Sequence, residues 1–179
     1  METRMTGITR RNAIAALGMA WACINFSRNT AHAESTGEIS HGADAIHQEP
    51  AFDAKPQRVY DALTDARQFD KVIEIGGSSK ALGIQPTQIS SQLGGPFILF
   101  GGHIIGRHLE LIPARRIVQA WRVVDWEQGV YSIARFELKE SGAGTKILFD
   151  HTGFPNGLAA HLADGWKGHY WDPLRTFLS

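Results

Sequence analysis

Residues Gly129–Leu174 constrain the fold more than any other segment, because they combine alternating strands with a terminal amphipathic helix. Alternation with a period of two residues predicts that one set of side chains shares the inner face of the strand that begins near Val130. That set comprises Val130, Ser132, Ala134, Phe136 and Leu138. An apolar and aromatic helix face follows at i+4 spacing, formed by Leu158, Leu162, Trp166 and Tyr170. This order predicts a curved antiparallel sheet that grips a long C-terminal helix.

The remaining elements extend this prediction to an α+β domain over residues 45–179. Six segments have strand composition or alternation, and short turns rich in Gly or Pro join them. They are residues 88–93, 97–100, 103–112, 116–124, 130–139 and 145–152. Residues 45–54 add a first strand, which Pro50 confines to an edge or a bulge. The pattern predicts an antiparallel meander of about six or seven strands.

Two helices complete the predicted domain. Pro56 suits the first turn of a helix, and an apolar stripe continues from it to about Val72. The terminal helix begins near Leu158, and Pro173 should kink or end it. Residues 75–86 contain three glycines, two serines and a proline, and therefore predict a loop.

The first 33 residues have the layout of a signal peptide. Arg10-Arg11 belongs to a basic segment that resembles the twin-arginine export signal, and a short apolar run follows. The run is too short to span a bilayer, so no integral membrane segment is expected in the mature chain. Ala31-His32-Ala33 is a small-x-small pattern that predicts cleavage after Ala33 and a periplasmic or secreted protein.

Several alternatives remain open at the N-terminus. The export machinery is the expected partner of residues 1–33, through either the twin-arginine or the general secretory route, and residues 34–44 form a linker. A disordered or helical tail of a cytoplasmic protein is the other interpretation of the same residues. Cys23, the only cysteine, could also be a lipid-attachment site, although the residues before it match that signal poorly.

Charge and motif content exclude several classes of function. The formal net charge is zero and the basic residues are scattered, so nucleic acid is not an expected partner. No phosphate-binding or dinucleotide fingerprint occurs, and the histidines lack the spacing of a metal site. We therefore predict no cofactor and no metal.

A few polar residues are candidates for chemistry. Asp150 and His151 are neighbours in a strand, so their side chains should point to opposite faces. A structural hydrogen-bonding role is favoured for His151 over general acid–base catalysis, and no catalytic residue is assigned. Arg122 and Arg135 either contact an anionic ligand group or pair with acidic neighbours on the convex face.

Several segments together resemble a known superfamily. They are Asp53–Asp65, Gly106–Leu111, Trp121-Arg122, Asp125-Trp126, Gly129–Phe136, Gly144-Thr145, His151–Pro155, Gly165-Trp166, His169–Trp171 and Pro173-Leu174. In order and over nearly all of residues 45–179, they are similar to the START-related helix-grip superfamily (SRPBCC). The branch they resemble is named after the C-terminal domain of the heat-shock-protein ATPase activator. The resemblance implies a hydrophobic pocket under the terminal helix.

The resemblance and the predicted inner face together suggest a set of pocket residues. These are Phe97, Trp121, Ser132, Phe136, His151, Trp166 and Tyr170. The leading hypothesis is an exported single-domain protein that binds a hydrophobic or aromatic small molecule. One alternative is a cyclase- or dehydratase-like enzyme that uses the same pocket. Another is an activator-type protein-interaction module, although an exported protein would not meet a cytosolic chaperone.

Overall fold

Eight antiparallel strands form one sheet in the computed structural model, which describes residues 44–77 and 85–179. The predicted signal peptide and all but the last residue of the predicted linker lie outside these residues. The strands are β1 (Ala45–Gln48), β2 (Ala51–Phe52), β3 (Gln88–Ile89), β4 (Pro96–Leu99), β5 (Ile104–Ile112), β6 (Arg116–Val123), β7 (Ser132–Ser141) and β8 (Gly144–Thr152). The predicted fold class is confirmed, with eight strands rather than about six or seven, because the predicted first strand (residues 45–54) is divided into β1 and β2.

The strand order from β3 to β8 follows from short hairpin connections, whereas β1 pairs with β8, the last strand in sequence. From one edge to the other the order is β1, β8, β7, β6, β5, β4 and β3, and β2 also pairs with β8. The first strand is interrupted at Glu49-Pro50, since proline supplies no N–H to the ladder. The carbonyl of Pro50 still accepts the N–H of Ile147 at 2.9 Å. This segment therefore forms an edge, as the sequence predicted.

The inner face of the sheet matches the predicted alternation. Ser132, Ala134, Phe136 and Leu138 are buried along β7, whereas Tyr131, Ile133 and Arg135 are exposed. Gly106 on β5 allows an unusually close approach, because a Cβ there would lie 2.2 Å from both the Ala120 carbonyl oxygen and the Phe97 ring. The ring of Phe97 thus lies directly on the strand backbone.

The N-terminal helical segment consists of two helices, which corrects the prediction of one. Helix α1 spans Pro56–Thr64 and α2 spans Ala66–Ile75. Asp65 between them has extended backbone angles, and its carboxylate accepts the N–H of Gln68 at 3.0 Å. This N-cap begins a new helix, so the apolar stripe continues across a break in the backbone.

The terminal helix runs without interruption from Ala159 to Leu178. It consists of α3 (Ala159–Trp166), a π-helical turn (Lys167–Trp171) and α4 (Asp172–Leu178). Pro173 was predicted to kink or end the helix, and it does not end it. The π turn precedes the proline, with the Asp172 N–H bonded to the Lys167 carbonyl, five residues back. Pro173 then lies in the first turn of α4, where its missing N–H is tolerated.

Hydrogen bonds from β1 and aromatic contacts from α2 hold the helix against the sheet. Gln48 donates to the Ala163 carbonyl at 3.0 Å and accepts the indole N–H of Trp171 at 2.5 Å. Phe69 on α2 packs with its ring 5.5 Å from that of Tyr170. No helix in the described part of the chain is long and apolar enough to cross a membrane.

Candidate functional site

A cleft of about 350 Å³ lies between the terminal helix and strands β5 and β6. Its buried lining residues, which we call the floor, are Phe100, Ile104, Trp121, Leu162, Trp166 and Tyr170. Its more exposed lining residues, which we call the rim, are His103, Val123, His161, Asp164, Gly165 and His169. The cleft is therefore apolar and aromatic inside and polar at its entrance.

Trp166 is the centre of the aromatic cluster beneath the cleft. Its ring centroid lies 4.2 Å from that of Tyr170, 4.4 Å from that of Phe149 and 5.5 Å from that of Trp121. The π turn brings both Tyr170 and Trp171 to the buried side of the helix, so that two consecutive aromatic residues pack inward. Such packing gives the floor a fixed shape.

A buried chain of hydrogen bonds joins the helix to the sheet behind the floor. The Trp166 indole N–H donates to His151 Nδ1 at 2.9 Å, and His151 Nε2 lies 2.6 Å from Ser132 Oγ. Ser132 Oγ also lies 2.9 Å from the Trp121 carbonyl oxygen. Because an indole only donates and a carbonyl only accepts, every direction is determined. His151 carries its proton on Nε2 and donates to Ser132, which donates to the carbonyl.

This chain keeps His151 neutral. The residue is fully buried, and its burial lowers the pKa of the imidazole from 6.5 to about 4. Protonation at Nδ1 would also break the hydrogen bond from Trp166. Both ring nitrogens are therefore committed to structural hydrogen bonds, which is the role that the sequence favoured.

Two polar groups on the floor make no standard hydrogen bond to the part of the chain that the structure describes. They are the indole N–H of Trp121 and the hydroxyl of Tyr170. Burial raises the pKa of Tyr170, and the neighbouring Trp121 lowers it by a smaller amount. The tyrosine is accordingly neutral, and its own proton has no acceptor among the described residues.

His108 is a second neutral histidine in the core. It lies on the inner face of β5 and is fully buried, and neither ring nitrogen has a hydrogen-bond partner among the described residues. Its ring packs 5.4 Å from that of Phe97. Burial lowers its pKa from 6.5 to about 4. His108 does not line the cleft.

The structure brings only part of the predicted pocket set to the cleft. Trp121, Trp166 and Tyr170 line it. The other four predicted residues are buried in the adjacent core and do not line it: Phe97, Ser132, Phe136 and His151. Sequence reasoning missed Phe100, Ile104 and every rim residue. Leu162 was the one signal available, since it belongs to the predicted helix stripe.

Neither predicted arginine reaches the cleft. Arg122 is 7% exposed and donates to the carbonyls of Val123, Val124 and Trp126. This replaces both roles considered for it from sequence. Arg135 lies on the convex face, where it pairs with Asp150 at 2.6 Å. Asp150 therefore faces away from His151, as the strand geometry predicted.

The curved antiparallel sheet holding a long terminal helix defines the helix-grip class of α+β proteins. Within that class, residues 53–179 match the family described as Activator of Hsp90 ATPase homolog 1-like protein, and the chain belongs to this family. The predicted superfamily and branch are thereby confirmed.

Relatives support the same assignment. The chain is 23% identical over 134 residues to Activator of 90 kDa heat shock protein ATPase homolog 2 of Mus musculus, covering 75% of this chain and 38% of that relative. The chain thus spans less than two fifths of that relative's length.

Two solved structures have the same fold. An HSP90 activator from Plasmodium falciparum superimposes with a TM-score of 0.65 and 22% identity, covering 75% of this chain and 95% of that one. CalU16 from Micromonospora echinospora superimposes with a TM-score of 0.60 and 24% identity, covering 76% and 77%. At these identities the likeness shows the fold alone.

Proposed function

We propose that the chain binds a hydrophobic or aromatic small molecule in the cleft under its terminal helix. The observation that supports this most directly is the cleft itself, whose volume of about 350 Å³ falls in the range of small-molecule sites. Its floor is aromatic and aliphatic, and its polar groups are concentrated at the rim. Burial of apolar ligand surface would contribute roughly 25 cal/mol per Å² before ordering costs.

The state of His151 favours binding over catalysis. A general base needs a free lone pair and a pKa near the working pH. His151 accepts from Trp166 at the one nitrogen that has a lone pair, and its pKa is about 4. It also lies behind the floor rather than on it. The cyclase- or dehydratase-like alternative would depend on His151 or on a pocket arginine, and neither His151 nor Arg122 nor Arg135 lines the cleft.

Two glycines of the terminal helix provide a matched test. A Cβ added at Gly165 or at Gly168 would meet no atom within 4 Å, so both positions accept a side chain without a clash. Gly165 lines the cleft and Gly168 does not. Gly165→Leu should fill the cleft, whereas Gly168→Leu places the same side chain outside it. Replacing a helical glycine should also stabilise both variants slightly.

The assay is binding of N-phenyl-1-naphthylamine, a neutral apolar probe whose fluorescence rises on burial. We expect saturable binding to the wild-type protein, similar binding to Gly168→Leu and a loss of about ten-fold or more in Gly165→Leu, roughly 1.4 kcal/mol. If the two variants bound the probe equally, the probe would bind outside the cleft, and this result would contradict the proposal. Native mass spectrometry of the purified protein would then identify the class of any ligand that co-purifies.

We also propose that residues 1–33 direct export, on the strength of their charge and cleavage pattern. In a bacterium with a twin-arginine pathway, the exported protein should begin at Glu34. Changing Arg10→Lys and Arg11→Lys together should leave the precursor in the cytoplasm if that pathway is used. Continued processing of the double variant would indicate the general secretory route. Unprocessed wild-type protein in the cytoplasm would contradict export.

Family membership supports a second candidate, binding to a chaperone of the 90 kDa heat-shock class. This candidate predicts that added chain increases ATP hydrolysis by a purified chaperone of that class until the effect saturates. The Gly165→Leu variant tests whether the cleft takes part, since a surface separate from the cleft should be unaffected. If saturating amounts of this protein do not increase ATP hydrolysis by the chaperone, the activator role is excluded.

A further inference from the structure

The rim of the cleft carries three histidines. His161 and His169 lie on the terminal helix, four residues before and four residues after Gly165, and His103 lies immediately before β5 on the sheet side. A Cβ added at Gly165 would meet no atom within 4 Å, so the space beside this part of the helix is open. The three imidazoles therefore border the entrance through which a ligand would reach the aromatic floor.

The rim histidines are the source of positive charge at the cleft. None of the described residues that line it is a lysine or an arginine, and Asp164 is the one acidic residue among them. The guanidinium of Arg122 is committed to three backbone carbonyls. The other charged residues of the adjoining elements do not line the cleft: those of α2, Asp125 and Glu127 after β6, and Lys167 and Asp172 on the helix. Because histidine changes its charge between pH 8 and pH 5, mild acidification turns the rim from negative to positive.

The rim histidines are placed to contact a ligand rather than a metal ion. The described residues include no group of three His, Cys, Asp or Glu side chains that could hold a metal. His103 and His161 make no side-chain hydrogen bond or ion pair within the described part of the chain, so both can donate to an incoming group. His161 is exposed and His103 is half-buried, so an anion beside them keeps part of its hydration. An acidic group at the rim therefore avoids the penalty of burying a charge in the floor.

We propose that the cleft binds amphipathic acids, with the apolar body of the ligand on the floor and its acidic group held by the rim histidines. This proposal rests on the proposed binding function and specifies its ligand class. The body would pack against Phe100, Leu162 and Trp166, and the acidic group would lie beside Gly165. Binding should strengthen at mildly acidic pH, where imidazoles gain a proton. The separation of apolar and polar lining residues fits a molecule with the same two parts.

Two matched fluorescent probes test the proposal. The acidic probe is 8-anilinonaphthalene-1-sulfonate, which is N-phenyl-1-naphthylamine with one added sulfonate, and it stays ionised from pH 6 to pH 8. The dissociation constants of the neutral and acidic probes are measured with the full chain at pH 8 and at pH 6. Both probes bind the same folded population, so the ratio of the two constants cancels any change of stability with pH. We expect the preference for the acidic probe to increase about five-fold from pH 8 to pH 6, because three individually weak charge interactions act together.

Substitutions locate this effect at the rim. Combining His103→Gln, His161→Gln and His169→Gln should remove most of the increase with acidification. His47→Gln is the matched control, because His47 is an exposed histidine on β1 that does not line the cleft, and this variant should retain the increase. Asp164→Asn should act in the opposite direction and raise the affinity of the acidic probe about two-fold at pH 8, since it removes a like charge from the rim.

The outcomes separate this proposal from the proposed function. A preference that does not change with pH, or that changes as much in the triple histidine variant, would overturn the acidic ligand class but leave binding of the neutral probe intact. If Gly165→Leu lost the neutral probe but kept the acidic one, the acid would bind outside the cleft and the proposal would again be wrong. If Gly165→Leu bound the neutral probe as well as Gly168→Leu does, the proposed function itself would fail.

Discussion

The two buried histidines should make the protein acid-sensitive in a pH range where few other groups titrate. His108 and His151 have pKa values of about 4 in the folded chain against an ordinary value of 6.5. Between these values the unfolded chain binds more protons than the folded one, so stability falls as the pH falls. The full effect is about 3 kcal/mol for each histidine, and the slope near pH 5–6 is about 1 kcal/mol per pH unit.

The informative perturbation is His108→Leu. It removes a fully buried ring whose two nitrogens have no partner among the described residues, and it places an apolar side chain of similar size in the core. We expect the pH slope of the unfolding free energy between pH 5 and 6 to fall from about 2 to about 1 kcal/mol per unit. Stability at pH 7 should be unchanged or higher, because a desolvated polar group is lost.

Urea denaturation followed by tryptophan fluorescence at half-unit intervals of pH measures this slope. His47→Gln is the control, because hydrogen bonds to Asp150 and Glu49 raise the pKa of that exposed histidine. His47 is therefore mostly protonated in both states below pH 6, and its removal should leave the slope close to the wild-type value. The pKa values of Glu49 and Asp150 are lowered, which keeps their titration below this window. A wild-type slope near zero, or one unchanged in His108→Leu, would refute the reasoning.

Two further substitutions test the packing around the site, each measured by urea denaturation at pH 7. Ser132→Ala should lower the free energy of unfolding by about 1–3 kcal/mol, because the His151 Nε2–H would lose its acceptor. Ser141→Ala, at the exposed end of the same strand, should change the free energy of unfolding little. Gly106→Ala should lower the free energy of unfolding by at least about 1–3 kcal/mol, since its Cβ would lie 2.2 Å from a carbonyl oxygen of β6. Gly165→Ala, in contrast, should leave the free energy of unfolding unchanged or raise it. A neutral Ser132→Ala or Gly106→Ala would contradict the corresponding contact.

The sequence predicted the fold well because its signals are local. Alternation along β7 assigns Ser132 and Phe136 to the inner face whatever the rest of the chain does. The break at Asp65 was also readable in principle, since an acidic residue followed by a glutamine three positions later is an N-terminal helix signal. It was missed because the apolar stripe runs from α1 into α2 across the break.

The site was predicted less well because it depends on how distant elements meet. Ile104 and His161 line one cleft only because the terminal helix and the start of β5 border the same space, and no local pattern specifies that arrangement. Ser132 and His151 were expected in the pocket because they face inward. Facing inward does not distinguish a residue on the floor from one behind it, and the hydrogen bond from Trp166 places His151 behind.

The π turn gives the terminal helix two different registers. A continuous α-helix advances 100° per residue, so the inserted residue shifts the phase of everything after it. Leu162 and Trp166 before the turn and Trp171 and Leu174 after it are all buried against the rest of the domain. The wide turn accommodates one additional residue, so deletion of one residue between Lys167 and Trp171 should restore a regular helix and leave both halves in place. An insertion of one residue elsewhere in the helix would instead rotate one half by about 100° and should be far more harmful.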